Sequence, residues 1–501
     1  MKLRKTQRAI AGILLCGAGF WLALPKTYRE KTYLIPAGGC RLETTIIDKQ
    51  GGTPQGTVVL FHGISADKKI MFYIAHGFAE QNLRVFVPDL PGHGHSPGPF
   101  SPQRAEECSE ALVSGLVSRG MLNPERTIVA GHSMGGAIAL QVGAHIPVAG
   151  VVAISPAPMQ SAHGVSPEKM LFQYAGPWPQ RFLVISGSLE PESMRENAAD
   201  LISWRKDAAQ YEEIPGATHV SLLFSSGAVR SFQDWASKTL QLTGSPGLPS
   251  RRQLYGAVAG FLGLLLLANP FLREMTGQKQ NAQQPEPGNP IHWVRLLVEF
   301  AAAALIAVAL LRSFHPWRSV HLFEGDYLAT FFLILGIVLL LLRGRSLRMQ
   351  FSLPKAALLK ALLAGLILFL LLSAWFELSI YEAWATSARW AGFPLLFVFL
   401  LPYHFAEEIA LGPADAAKSW RRLATGLSLR LVLWAALVVG VFYLHSGEIL
   451  MVLLVPYFAL LFVLQRRGMD IVRHETGSAA AAAVFGAILL AGFSMVIFPI
   501  T

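Results

Sequence analysis

The apolar residues of this 501-residue chain follow two patterns. Between Lys26 and Ser250 they come in short bursts, rich in Val and Ile and closed by Gly, Pro or a polar residue. TVVLFHG (57–63), LRVFVPDL (83–90), RTIVAGHS (126–133), GVVAISP (150–156), RFLVISG (181–187) and YEEIPG (211–216) are the bursts in question. Amphipathic segments such as Pro102–Arg119 and Glu192–Lys206 lie between most of them. Short buried strands separated by helices predict a doubly wound, mostly parallel sheet with helices on both faces. TYLIPA and RLETTII near the start predict an antiparallel hairpin at the sheet edge.

From Arg251 onward the apolar runs lengthen to about 20 residues, the length a helix needs to cross a bilayer. The expected spans are 253–272, 291–311, 323–342, 357–377, 390–411, 428–444, 447–465 and 478–499. At the N-terminus, MKLRKTQR precedes AIAGILLCGAGFWLAL, a basic segment followed by an apolar one, and reads as an uncleaved signal anchor. The expected organisation is an anchor over 1–25, an α/β domain over 26–243, a Gly/Pro/Ser linker over 244–252, and an all-α transmembrane bundle of about eight helices over 253–501. QKQNAQQPEPGNP (278–290) reads as a flexible loop between spans.

Charge refines this picture. Residues 1–25 hold 4 basic groups, residues 26–250 hold 18 basic and 19 acidic, and residues 251–501 hold 20 basic and 13 acidic. The net charge of +10 therefore belongs to membrane flanks, and a nucleic-acid partner has little support. With the N-terminus inside, loops 273–290, 343–356, 412–427 and 466–477, together with the N-terminal tail, carry 16 Lys and Arg. The opposite loops carry Arg312, Arg318 and Arg389, with Arg251 and Arg252 before the second span. The positive-inside rule then gives nine spans, the lipid bilayer as a partner, and the domain at 26–250 outside the cytoplasm. Of the 3 cysteines, Cys16 lies in the anchor. Cys40 and Cys108 lie in the α/β domain, where an oxidising compartment would permit a bond, but sequence does not fix the pairing.

In an open parallel sheet, ligands bind beyond the carboxyl ends of the strands. The candidate chemistry sits there. Ser133, in GHSMGG, follows one strand and opens a small-residue helix, and Gly131 and Gly135 suit a tight corner. A serine nucleophile needs a base. His219, in PGATH after the last strand, is the candidate. Glu190, in SGSLEP after strand 181–187, is the acid that would orient it, with Glu192 as competitor. The oxyanion donors expected are the backbone amides of Met134, next to the nucleophile, and Ile64, in HGIS. His93 and His95 in PDLPGHGHSPG lack a third ligand at suitable spacing, so the loop reads as scaffolding and no metal is expected.

FHG (61–63), DLPGHGHS (89–96), GHSMGG (131–136), ISGSLEP (185–191) and PGATH (215–219) together resemble the α/β-hydrolase fold, in particular small serine hydrolases of the esterase, lipase and serine-aminopeptidase-like group. The resemblance covers about residues 30–242. It implies a serine hydrolase with a Ser133–His219–Glu190 triad, an acyl-enzyme, no cofactor, and a small-molecule or lipid-like acyl substrate. Two features depart from the family pattern. Glu190 stands where Asp is commoner, and only 24 residues separate Pro156 from Arg181, which implies little or no cap.

One apolar run carries charge. LPYHFAEEIALG (401–412) puts His404, Glu407 and Glu408 partly on one helix face, and ionisable residues within a span suggest function. The Glu pair weakly resembles the first motif of CAAX-type intramembrane proteases, without that family's later histidine motifs. The alternatives are glutamates solvated at a helix end, a plain anchor, a catalytically idle α/β scaffold of a membrane complex, or an α/β domain accessory to a degenerate intramembrane-protease-like or transport protein.

Overall fold

The computed structural model describes residues 5–24, 27–158, 179–277, 293–313, 319–344, 353–414, 419–443 and 450–501. The chain forms two compact units. One holds Phe20–Ala257 together with Phe376–Glu382 and Pro499–Thr501; the other holds Met1–Gly19, Val258–Trp375 and Ala383–Phe498.

The first unit is built on an eight-stranded sheet. Its strands are β1 (Tyr28–Ala37), β2 (Cys40–Lys49), β3 (Gly56–Phe61), β4 (Leu83–Pro88), β5 (Thr127–His132), β6 (Gly150–Ile154), β7 (Phe182–Gly187) and β8 (Ala209–Ile214), in the order β1-β2-β4-β3-β5-β6-β7-β8. From β4 to β8 all pairings are parallel; β1 and β2 form the antiparallel hairpin at one edge, and β2 also runs antiparallel to β4. The five helices used below are α1 (Phe72–Ala79), α2 (Pro102–Ser118), α3 (Met134–His145), α4 (Glu192–Trp204) and α5 (Ser226–Leu240).

The central strands are mostly apolar because both faces are covered. Val58, Leu60, Val85, Ile128, Ala130, Val152 and Ile185 join one core with Ile74 and Phe78 of α1 and Phe232 and Trp235 of α5. The Phe78 and Phe232 rings stack at 4.0 Å between centroids. The alternate residues Val59, Phe61, Phe86, Val129, Val151 and Val184 point to the other face and are equally buried. There α3 lies against β5 and β6, and α2 against β1. Cys40, at the turn of the β1–β2 hairpin, is bonded to Cys108 of α2, with Cα atoms 5.8 Å apart. Ser101 caps α2, and Pro102 follows at the position where a missing N–H does no harm.

The second unit is all helix. Eight helices among the described residues are long and apolar enough to cross a membrane: Thr6–Ala23 and seven between Arg252 and Ile497. The expected span at 447–465 is not among them. It falls on Leu450–Leu453 and Val455–Thr476, and the second helix carries Gln465, Arg466 and Asp470, all buried, which break its apolar run. The expected loop at 278–290 and most of the short segment between Pro156 and Arg181 lie outside the described residues.

In the second unit, Glu407 and Glu408 on helix Ser387–Leu411 are wholly buried, not solvated at a helix end. Arg430 grips Glu407 with two bonds of 2.9 Å, and Arg466 adds a third at 3.0 Å. Glu408 is held by Arg422 at 2.6 Å and by Arg466. Asp470 joins Arg422 and Arg466, each at 2.9 Å. The expected topology has Arg422 and Arg466 as loop cations on the inner side. Each instead lies within a helix and is buried, because a carboxylate there needs its charge. His404 Nε2 accepts from the Gln465 amide at 3.1 Å.

Candidate active site

The corner from β5 into α3 is sterically forced. Ser133 takes φ 55° and ψ −120°, a backbone conformation that L residues avoid and that costs of order 1–3 kcal/mol. Four backbone bonds hold it. Ser133 N–H donates to Ile154 O at 2.9 Å, and Ser133 O accepts from Gly136 N, Ala137 N and Ala157 N at 2.9, 3.1 and 2.9 Å. A Cβ on Gly131 would lie 2.0 Å from Gly135 O, and one on Gly135 would lie 2.3 Å from Phe61 O. Both positions therefore exclude any side chain. The result is a serine raised at the carboxyl end of the sheet and followed at once by a helix N-terminus.

His219 lies in the loop after β8, just before the short turn Ser221–Phe224. Its Nδ1 is 3.1 Å from Glu190 Oε1. Glu190 follows β7 and is buried, and its Oε2 accepts from Gly187 N at 3.2 Å. Glu192, the competitor, is exposed in the first turn of α4. A further residue, unforeseen from sequence, enters here. Ser155 Oγ donates to Glu190 Oε1 and lies 2.7 Å from His219 Nδ1. Ser155 follows β6 and is itself held at φ 45°. With two oxygen acceptors beside Nδ1, the ring proton belongs there, and the Nε2 lone pair is free to act as base. Among the described residues no hydrogen bond joins Ser133 Oγ to His219; such contacts are commonly long before substrate binds.

His132 packs beside His219, the ring centroids 4.6 Å apart, and its Nε2 donates to His219 O at 2.9 Å. Burial, and then the neighbouring His219, hold His132 well below the usual imidazole range. It stays neutral and adds no charge next to His219.

The loop after β3 comes close to Ser133. A Cβ on Gly63 would lie 3.1 Å from Ser133 Cβ, which puts the adjoining Ile64 peptide at the corner. Neither the Ile64 amide nor that of Met134, the first residue of α3, has a hydrogen-bond acceptor among the described residues. His62 Nδ1 donates to Gly63 O at 2.7 Å, and its Nε2 accepts from Leu90 N at 2.9 Å, tying this loop to the one after β4. His93 Nε2 accepts from Ser65 N at 3.3 Å. Both histidines thus shape turns.

A buried charge cluster lies under the same loop. Lys68 Nζ pairs with Glu43 at 2.7 Å, with Asp89 at 2.5 Å, and with Glu382. Burial opposes the charge on Lys68, but Asp89 and Glu382 hold its pKa above the ordinary lysine value. Burial, and then Asp89, push Glu382 up to about 11, so it is protonated beside the ionised Asp89. Glu43, His95 and Glu382 are the only His, Cys, Asp or Glu residues among those described that are grouped to hold an ion. Lys68 Nζ already occupies both carboxyl groups of that trio.

A sequence profile described as "Alpha/beta hydrolase family" matches residues 58–489. Lipase LipV of Mycobacterium tuberculosis is 32% identical over 113 residues, 22% of this chain and 41% of that protein. A monoacylglycerol lipase of Mycolicibacterium smegmatis is 35% identical over 119 residues, 23% of this chain and 42% of that protein. These matches therefore span about two-fifths of each relative's own length. The solved structure of an alpha-beta serine hydrolase homologue from Coxiella burnetii is 18% identical and covers 42% of this chain and 97% of that one, with a TM-score of 0.33.

Proposed function

Because the chain belongs to the alpha/beta hydrolase family, we propose that it is a membrane-anchored serine hydrolase cleaving an ester, thioester or amide. The observation that carries the reading is the strained Ser133 corner at the same sheet end as the Glu190–His219 pair. Ser133 Oγ attacks the acyl carbonyl while His219 Nε2 takes its proton. The Ile64 and Met134 amides bind the oxyanion as it forms. His219 returns the proton to the leaving group, leaving an acyl-Ser133. Water, activated by the same imidazole, then releases the acid. Glu190 holds the Nδ1 proton in place and stabilises the imidazolium in both steps.

The exposed Leu189 and Val220, next in sequence to Glu190 and His219, support an acyl substrate with an apolar chain, small-molecule or lipid-like. The Cys40–Cys108 bond supports an oxidising, extracytoplasmic setting for this unit, in agreement with the four basic residues that precede the first apolar run. The apolar helices would supply the anchor.

The test is labelling of detergent-solubilised protein with a fluorophosphonate probe. Wild type should label, Ser133→Ala should not, and His219→Ala should label far more slowly. Folded wild type that fails to label would overturn the reading.

A further inference from the structure

Phe376–Glu382 is separated from β8 by more than 150 residues of sequence, yet it belongs to the same compact unit as the sheet. Its polar groups converge on one target. Tyr381 Oη donates to Ser65 O at 3.0 Å. The Glu382 amide donates to Asp67 Oδ2, and its carboxyl meets Lys68. Glu377 pairs with Lys69 at 2.6 Å, and its carbonyl accepts a second bond from the same ammonium. Ser65, Asp67, Lys68 and Lys69 are thus all gripped from outside, with only Ala66 passed over.

That stretch begins one residue after Ile64. From the loop after β4 it is met by His93, which accepts from Ser65 N at 3.3 Å, and by Asp89, which accepts from Lys68 N at 2.8 Å. Ser65 has φ 56°, and within the turn Ala66 N bonds Gly63 O at 3.2 Å. Asp67 Oδ1 caps the amides of Lys69 and Ile70 at 2.9 and 3.2 Å, so fixing Asp67 from its other oxygen fixes the turn's far end. An oxyanion donor works only if it is already aimed when charge appears.

We infer that Phe376–Glu382 is a working part of the hydrolase, and that Tyr381 and Glu382 are positioning residues that hold the 63–69 turn so that the Ile64 amide faces the oxyanion. This rests on the serine-hydrolase reading above. Tyr381 acts through the Ser65 carbonyl, and Glu382 through Asp67 and Lys68. Neither reaches the substrate. A hydrolase unit cut at the end of α5 would keep Ser133, His219 and Glu190 but lose this support.

The test uses the full chain in detergent, hydrolysing a short-chain p-nitrophenyl ester. Tyr381→Phe removes one hydroxyl and should lower kcat about tenfold with KM within about twofold, the pattern of an interaction that acts only in the transition state. Glu382→Ala should fall at least as far. Glu382→Gln, which keeps a neutral hydrogen-bonding side chain, should recover most of that activity. Thermal melting separates a displaced turn from an unfolded one, and Tyr381→Phe keeps the test decisive if Glu382→Ala does not fold. Wild-type kcat in Tyr381→Phe, or a change seen only in KM, would overturn the inference while Ser133-dependent labelling left the hydrolase reading intact. Folded wild type that does not label would remove both.

Discussion

The molecule buries carboxylates in two ways. In the sheet unit, Glu190 is met by a serine hydroxyl, one backbone amide and a histidine, and no arginine or lysine is bonded to it among the described residues. In the helical unit, Glu407 and Glu408 accept hydrogen bonds from three arginines, Arg422, Arg430 and Arg466. Both arrangements satisfy a buried acid, but they respond to a proton differently. Beside Glu190 the partner is an imidazole, which can gain a proton at Nε2, so the carboxylate's stabilisation grows when the ring takes one. An arginine fork never changes charge, so the grip on Glu407 and Glu408 is constant. The first arrangement suits catalysis and the second suits holding helices in register. That difference is why the Glu pair, despite its place in an apolar run, is assigned no chemistry.

Three substitutions would break or sharpen this comparison. The largest effect is expected from Glu190→Gln. It keeps the shape but reverses the hydrogen-bond preference at His219 Nδ1, so kcat should drop by on the order of 10³–10⁴-fold. Ester turnover in purified protein measures it, and a drop below tenfold would make Glu190 as static as Glu407. Next comes Arg466→Ala, which leaves Glu408 and Asp470 short of a cation in a buried place. Breaking such a pair costs about 3–5 kcal/mol, so the variant should melt well below wild type in detergent. A melting point within experimental error of wild type would show that the forks do not hold the helices. The smallest effect is expected from Ser155→Ala. Losing one hydrogen bond to the acid is worth about 1 kcal/mol, or roughly fivefold in kcat, with KM nearly constant. An unchanged rate would remove Ser155 from the acid–base link.

Sequence reveals what is written locally. The strands from β3 to β7 are legible because each is a short, mostly apolar burst closed by Gly, Pro or a polar residue, while β8, AQYEEI, shows mainly by the Pro and Gly that follow it. Ser133, Glu190 and His219 stand out as candidates because each lies just past a strand. Ser155 also follows one, in GVVAISP, but a lone serine there looks like any strand end until β6 and β7 are set side by side. The arginine partners of Glu407 and Glu408 sit on two other helices, and no spacing rule links them. Arg422 and Arg466 pass for loop cations in sequence because both lie near the ends of apolar runs. Phe376–Glu382 is hidden for a similar reason. Its role depends on a chain return from more than 300 residues beyond Ser65, and sequence periodicity carries no information on returns of that length.

The glycines flanking Ser133 bear on how such chains are recognised at all. What excludes a side chain at Gly131 and Gly135 is backbone oxygen, with no catalytic partner involved. A descendant that lost its serine would still need both glycines to make the corner. The spaced glycines therefore report architecture, and only the letter at 133 reports an enzyme. Any search that weights the frame above that letter will gather retired hydrolases along with working ones.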